Sequence, residues 1–509
     1  MAKQSFGEIH LDVEAGRDRE TPAPTSDTPF RVALLGDFSG RSSRGICETG
    51  AKLAERRAIL IDRDNFDEVL ARLAVRLQLP LAGGGSLALE FKDIDDFRPD
   101  ALFERVEVFA KLKETRARLA DPRSFAEAAA ELGAGKPPAS EPAPAEALPP
   151  PATGGSLLDA VLGQTEGRPL AAPARRPPDE LREYVRRLVE PHLEPGADPR
   201  QPELLAKVDG ATGDAMRQIL HHPAFQDLEA AWRAVYLLVR RVETGENLKL
   251  YLLDVTKAEL AADLAASEDL RQTGAYKLLV EKTVQTPGAA AWSLLAGNYA
   301  FDPARDDALL LARLATIARA AGAPFLGGAG ARVLGFDSFG DMPDVRKWTG
   351  PADAEAWQAL RALPQAAWLG LAIPRFLLRL PYGKQTDPVE GFAFEEMPSP
   401  PAHESYLWGN SSLLCALLLA QSFSEAGWEM RAGKHQEVDG LPLHVYKREG
   451  ESIAKPCAEA LLTEPAVERM LDLGLIPVIS PVGRDAARVV RFQSLASPPA
   501  ALAGPWGQA

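Results

Sequence analysis

Phe30-Arg31-Val32-Ala33-Leu34-Leu35-Gly36-Asp37-Phe38-Ser39-Gly40 is an apolar run, broken by one arginine and closed by a turn between two glycines. A run without polar alternation reads as a strand buried on both faces, and the glycines mark where it ends. Working outward, Arg57 to Ile61 comes next. Asp64-Asn65-Phe66-Asp67 then caps a helix whose Phe66, Val69, Leu70 and Leu73 recur at helical spacing. A strand from Leu87 to Phe91 follows Gly83-Gly84-Gly85, and Asp95-Asp96-Phe97-Arg98-Pro99 leads into one amphipathic helix through Leu102, Val106, Phe109 and Leu112. Neighbouring residues of an extended segment face opposite sides, so Asp93, Asp95 and Asp96 are expected to cap that helix, not to converge on a metal ion.

Composition shifts once, between about Gly133 and Pro178, where prolines alternate with alanine and small polar residues. Proline fixes φ and removes a backbone donor, so this stretch reads as an extended linker. Beyond it, helices are expected from Leu204 to Leu220 and through Phe225, Leu228, Trp232, Tyr236 and Val239, with His221-His222-Pro223 as the break between them. Strands at Leu248 to Asp254, Ser293 to Ala296, Pro324 to Leu326 and Trp368 to Ile373 alternate with helices at Thr256 to Leu264, about Leu309 to Ala321 and about Ser411 to Ala426. The expected fold class is α/β, two domains with mixed sheets flanked by helices, joined by the Pro/Ala-rich linker. The expected boundaries are 1–132, 133–178 for the linker with a short helix at 156–165, 179–497, and a tail at 498–509.

With 509 residues the chain exceeds what one core accommodates, and 46% hydrophobic with 25% charged residues is an ordinary globular balance. A net charge of −14 argues against a dedicated nucleic-acid binder, which needs a basic face. Cys47, Cys415 and Cys457 form no CxxC pair, the first residues lack a secretory pattern, and the Leu413 to Ala420 run is too short to cross a bilayer. A cytoplasmic protein without membrane insertion, metal or cofactor is expected. GxSxG and HExxH are absent from the sequence. The turns Gly36 to Gly40 and Gly327 to Gly330 lack phosphate-loop and dinucleotide spacing, and leave nucleotide-dependent catalysis only a remote alternative. Pro374 to Gly383 sets Arg375 and Arg379 in an apolar run, where each needs an acceptor; Glu395 and Glu396 are candidate partners, as is a neighbouring subunit. Tyr406-Leu407-Trp408-Gly409-Asn410 reads as core packing and a helix start.

Taken in order, these segments resemble the two sheath proteins of the type VI secretion system, the small TssB and the large TssC. Leu35 to Gly40, Ile61 to Asp67 and Asp95 to Pro99 resemble the small subunit. Ile219 to Gln226 with Trp232-Arg233, Gly335 to Phe339, Pro374 to Gly383, Leu407 to Asn410 and Asp439 to His444 resemble the large one. The resemblance implies a non-enzymatic fused protomer that assembles with other sheath subunits around an inner tube protein, meets baseplate components, and is recycled by a ClpV-type AAA+ unfoldase. The unfoldase helix of the family has its counterpart in Ser156 to Thr165, whose Leu157, Leu158, Val161 and Leu162 share one face. Trp232, Arg375, Arg379, Trp408 and Asn410 are the candidate assembly residues. Two departures stand out: the sequence ends soon after Phe492-Gln493-Ser494-Leu495, where family large subunits continue, and Arg361 to Ala366 lacks the family's acidic and arginine-rich character. The first supports an alternative expectation, a sheath-like adaptor or end-capping protein that does not polymerise alone.

Overall fold

The computed structural model describes residues 24–80, 86–133 and 198–506, together with a short strand pair at 5–6 and 9–10. The opening run forms strand β1, Phe30–Gly36. Its neighbours come from the other side of the linker: β3, Leu248–Asp254, and β4, Leu294–Phe301, both parallel to it. Phe30 pairs with Leu248 and Gly36 with Asp254 on one side, and Val32 with Leu294 and Leu35 with Gly297 on the other. Parallel strands carry helices on both faces, which is why β1 has no polar side. Ala33 and Leu35 enter a core with Leu260 and Leu264 of helix Lys257–Ala265 and Leu311 and Leu314 of helix Arg305–Ala321. On the opposite face Phe30 stacks on Phe423 of helix Ser411–Ala426, with ring centroids 4.7 Å apart.

Six more strands complete this sheet: β2 (Ile59–Ile61), β5 (Phe325–Ala329), β6 (Leu369–Ile373), β7 (Glu437–Val438), β8 (Leu475–Ile479) and β9 (Ala487–Val489). The sheet order is β7-β9-β8-β6-β5-β4-β1-β3-β2. The six strands from β8 to β3 run parallel, while β2, β9 and β7 are antiparallel to their neighbours. The mixed α/β class is as expected. The two sequence segments, however, contribute to a single large sheet, because a strand apolar on both faces is satisfied only inside a sheet already covered on both sides.

Residues group into two compact units, Met1–Val106 with Gly213–Ala509, and Glu107–Thr212. The boundary at Val106 corrects one expectation. The helix foreseen through Leu102 to Leu112 is two, Pro99–Arg105 and Glu107–Ala120, separated where Val106 adopts φ −85° and ψ 126°. Within the second unit, Leu119, Phe125, Ala128 and Ala129 pack against Leu204 and Val208 at the start of helix Gln201–Leu220. Arg116 meets Asp209 at 2.6 Å there. Both units thus combine residues from before and after the linker.

Candidate functional site

The end of β1 is where most of the distinctive sequence converges. Asp254, at the end of β3, accepts from the N–H groups of Phe38 (2.9 Å) and Ser39 (3.0 Å) and from the Ser39 hydroxyl (2.7 Å). Asp37 accepts from the N–H groups of Arg41 (2.6 Å) and Ser42 (2.8 Å). Donors that a phosphate loop would offer to a ligand are therefore occupied by the chain's own carboxylates. Gly40, at φ +75°, is required by space as well, since a Cβ there would lie 2.0 Å from the Arg76 carbonyl oxygen. Burial pushes the Asp254 carboxyl up, partly offset by the hydrogen bonds from Ser39 and Phe38.

Trp232, on helix Pro223–Arg241, donates its indole N–H to the Phe38 carbonyl at 2.8 Å and stands edge-on to Phe66. A large-subunit-like helix thereby holds the small-subunit-like turn. Beside it, Glu259 belongs to a capping box with Thr256 at the start of helix Lys257–Ala265, and it accepts from both Arg41 (2.9 Å) and Arg56 (2.5 Å) across the segment boundary. Its side chain is fully buried, with the arginines 13% exposed. Burial alone would raise its carboxyl, but hydrogen bonds from Arg56, the Thr256 N–H and Arg41 outweigh burial and hold it at about 2. Farther out, Arg98 makes a bidentate pair with Asp387 at 2.9 and 3.0 Å.

Arg379 lies between two buried carboxylates, Glu229 (2.9 Å) and Glu396 (2.7 Å), with its guanidinium 4.2 Å from the Tyr382 ring centroid. Of the two partners foreseen, Glu396 is the one it meets; Glu395 instead accepts from the Lys384 N–H. Glu229 was missed in sequence, although it sits four residues before Arg233 and binds it at 2.6 Å. Arg375 pairs with buried Glu459 and reaches Glu404 at 3.4 Å. Both arginines have internal acceptors.

Trp408 donates its indole N–H to the His403 carbonyl (3.0 Å). Asn410 caps helix Ser411–Ala426 through Ser412 N–H and donates to the Tyr299 carbonyl, each at 2.9 Å. The Asp93 carboxylate accepts from Asp95 and Asp96 N–H in a capping box of the short 3-10 turn Ile94–Phe97, whereas the helix Pro99–Arg105 that follows begins at Arg98 without a side-chain cap. His222 Nδ1 accepts from Ala224 N–H at the start of helix Pro223–Arg241. Leu157, Leu158, Val161 and Leu162 lie outside the described residues.

At the carboxyl ends of β1, β4, β5 and β6 is a cleft of about 690 Å³ into which both glycine turns open. Strand order reverses at β1, the usual place for a ligand crevice in such sheets. Its lining includes Asp37, Asp227, Asp302, Asp337 and Glu404 against Lys257, Arg332 and Arg375, an unfavourable wall for a polyphosphate. A Cβ at Gly328 would meet the Asn410 amide oxygen at 2.7 Å, so that glycine serves close packing. Among the described residues no group of three or more His, Cys, Asp or Glu is placed to hold a metal, and no helix is long and apolar enough to cross a membrane.

Comparison with known proteins adds to this geometry. The family described as "EvpB/VC_A0108, tail sheath N-terminal domain" matches residues 202–496, more than half of the chain. The chain belongs to this tail sheath family. Its earlier segment, residues 8–133, matches the family described as "Type VI secretion system, VipA, VC_A0107 or Hcp2". The sheath-family chain is 33% identical over 305 residues to the type VI secretion system sheath protein TssC1 of Pseudomonas aeruginosa, covering 58% of this chain and 61% of TssC1. It is 34% identical over 121 residues to TssB1 of the same organism, covering 22% of this chain and 65% of TssB1. The chain thus carries TssB-like and TssC-like sheath sequence in one polypeptide, and spans less than two thirds of each relative's length.

Proposed function

We propose that this chain is a structural component of a type VI secretion contractile sheath, a fused small and large subunit that assembles in the cytoplasm around an inner tube. The observation that carries the reading is β1: a strand of TssB-like sequence paired in register between two strands of TssC-like sequence. Fusion then fixes the two components at one to one and gives them a high effective concentration. Its partners on this reading are other sheath subunits, the inner tube protein, baseplate components and a ClpV-type unfoldase that grips Leu157, Leu158, Val161 and Leu162. Trp232, Arg375, Arg379, Trp408 and Asn410 support assembly from within, by holding the joint and the strand pair Phe376–Leu377 and Trp408–Gly409 in place. The chain acts by forming surfaces, not by catalysis.

Co-expression with the tube and sheath proteins of the same system tests this reading. Tubes containing the chain are expected in negative-stain micrographs; monodisperse particles under every combination would overturn the polymer and leave the adaptor reading in its place. Substituting Leu158→Asp and Leu162→Asp is expected to abolish unfoldase binding in a pull-down while leaving assembly intact.

A further inference from the structure

Lys455 ends the hairpin strand Glu451–Lys455, opposite His444 of His444–Arg448, and is only part exposed. Its Nζ lies 2.9 Å from His403 Nδ1, and His403 Nε2 lies 3.0 Å from Glu459 Oε1. Glu459 is 2% exposed and also receives Arg375 through Nε at 3.1 Å. Burial would raise the Glu459 carboxyl, but hydrogen bonds from His403 and Arg375 hold it at about 2, so it stays an acceptor. A carboxylate facing Nε2 fixes the imidazole proton on that nitrogen and leaves the Nδ1 lone pair toward the lysine. Amine, imidazole and carboxylate thus form a relay in which each group orients the one before it. The Tyr406 and Trp408 rings lie 5.6 and 5.3 Å from Nζ and keep water from much of the amine.

We propose that Lys455 is an activated amine, a site of covalent acylation by small acyl phosphates, with His403 as its proton acceptor. In this step the lysine nitrogen attacks the acyl carbon, the C–N bond forms, and the C–O bond to phosphorus breaks. Inorganic phosphate leaves with the electron pair, and the proton of the amine passes to Nδ1 of His403, where Glu459 stabilises the imidazolium. The charged and titratable groups facing Lys455 are His403, Glu459, Glu404, Arg375, Tyr406 and His444. Burial lowers the amine's affinity for a proton against the pull of Glu459 and Glu404, in the sense the chemistry needs. Acylation would remove the charge that Lys455 presents to both rings and break its bond to His403. The sheath reading is not required for this inference.

The test treats the full chain with acetyl phosphate across pH 6.5 to 9 and follows each lysine by peptide mass spectrometry. Lys447, exposed on the same hairpin, is the internal reference. Lys455 is expected to acetylate at least about tenfold faster than Lys447 at pH 7, the scale of one positioned base, and its rate to level off at lower pH. His403→Gln, shown to be folded by its thermal melt, is expected to bring Lys455 to or below the Lys447 rate. Equal rates for the two lysines in the unsubstituted chain, or a Lys455 rate unchanged in His403→Gln, would overturn the proposal. If His403→Gln does not fold, the rate ratio and pH profile of the unsubstituted chain decide alone.

Discussion

Two buried clusters hold the first unit together by different means. Glu259 gathers arginines from the other side of the linker, whereas Arg379 gathers Glu229 and Glu396 from its own sequence segment. The Arg379 cluster is the more closed: Arg379, Glu229 and Glu396 are all buried, while Arg233, on Glu229, lies part exposed at its edge. The Glu259 cluster is rimmed by part-exposed Glu48, which also meets Arg41 at 2.6 Å. Loss of one partner should therefore cost more in the closed cluster, while only the open one bears on the joint between segments.

The largest effect is expected from Arg379→Met. It leaves buried Glu396 without its arginine and Glu229 with Arg233 alone, at a cost of about 3–5 kcal/mol in urea unfolding. Glu259→Gln should cost about 1.5–3 kcal/mol, the worth of hydrogen bonds to a charged group, because Arg41 retains Glu48. An equal or larger loss from Glu259→Gln would break the comparison. This substitution also has a pH signature. The Glu259 carboxyl is held at about 2 in the folded chain against an ordinary 4.5, so its contribution is fully present above pH 4.5 and is lost as pH falls toward 2. Glu259→Gln should flatten that part of the acid-unfolding curve.

How far the sequence revealed these features depends on the range of the interaction. A continuous apolar run with a glycine turn identified β1, and an arginine in an apolar strand announced that Arg379 needed an acceptor. Glu229 and Glu259 look, locally, like ordinary helix residues; their roles depend on chain separations of 150 and about 200 residues that no periodicity encodes. Strand β8 is hard to recognise locally because Pro477 sits in its middle, a residue usually confined to edges and bulges. The strand Val75–Pro80 carried a legible period-two signal, with Val75, Leu77 and Leu79 buried and the residues between them exposed. Its closing proline and the glycines that follow resemble loop and mask that signal. The cleft at the strand ends was legible only as two separate glycine turns, and it is their filled donors, not their spacing, that argue against a phosphate.

Smaller substitutions sharpen the same contrast. Trp232→Phe keeps the ring but leaves the buried Phe38 carbonyl without its donor, an expected loss of about 1–3 kcal/mol. Asn410→Ala removes a helix cap inside one segment and should cost about 1 kcal/mol by thermal unfolding. Asp387→Asn weakens the part-exposed pair with Arg98 and should cost at most about 1 kcal/mol, diminishing with added salt.

The central claim is that TssB-like and TssC-like segments are one folding unit through β1, and a protease site inserted between Pro151 and Ala152 tests it most directly. After complete cleavage, the two fragments should co-elute at one to one in native buffer, with the amides of Val32 to Leu35 still protected from hydrogen exchange. Fragments that separate in that buffer, each keeping its own folded signal, would contradict it.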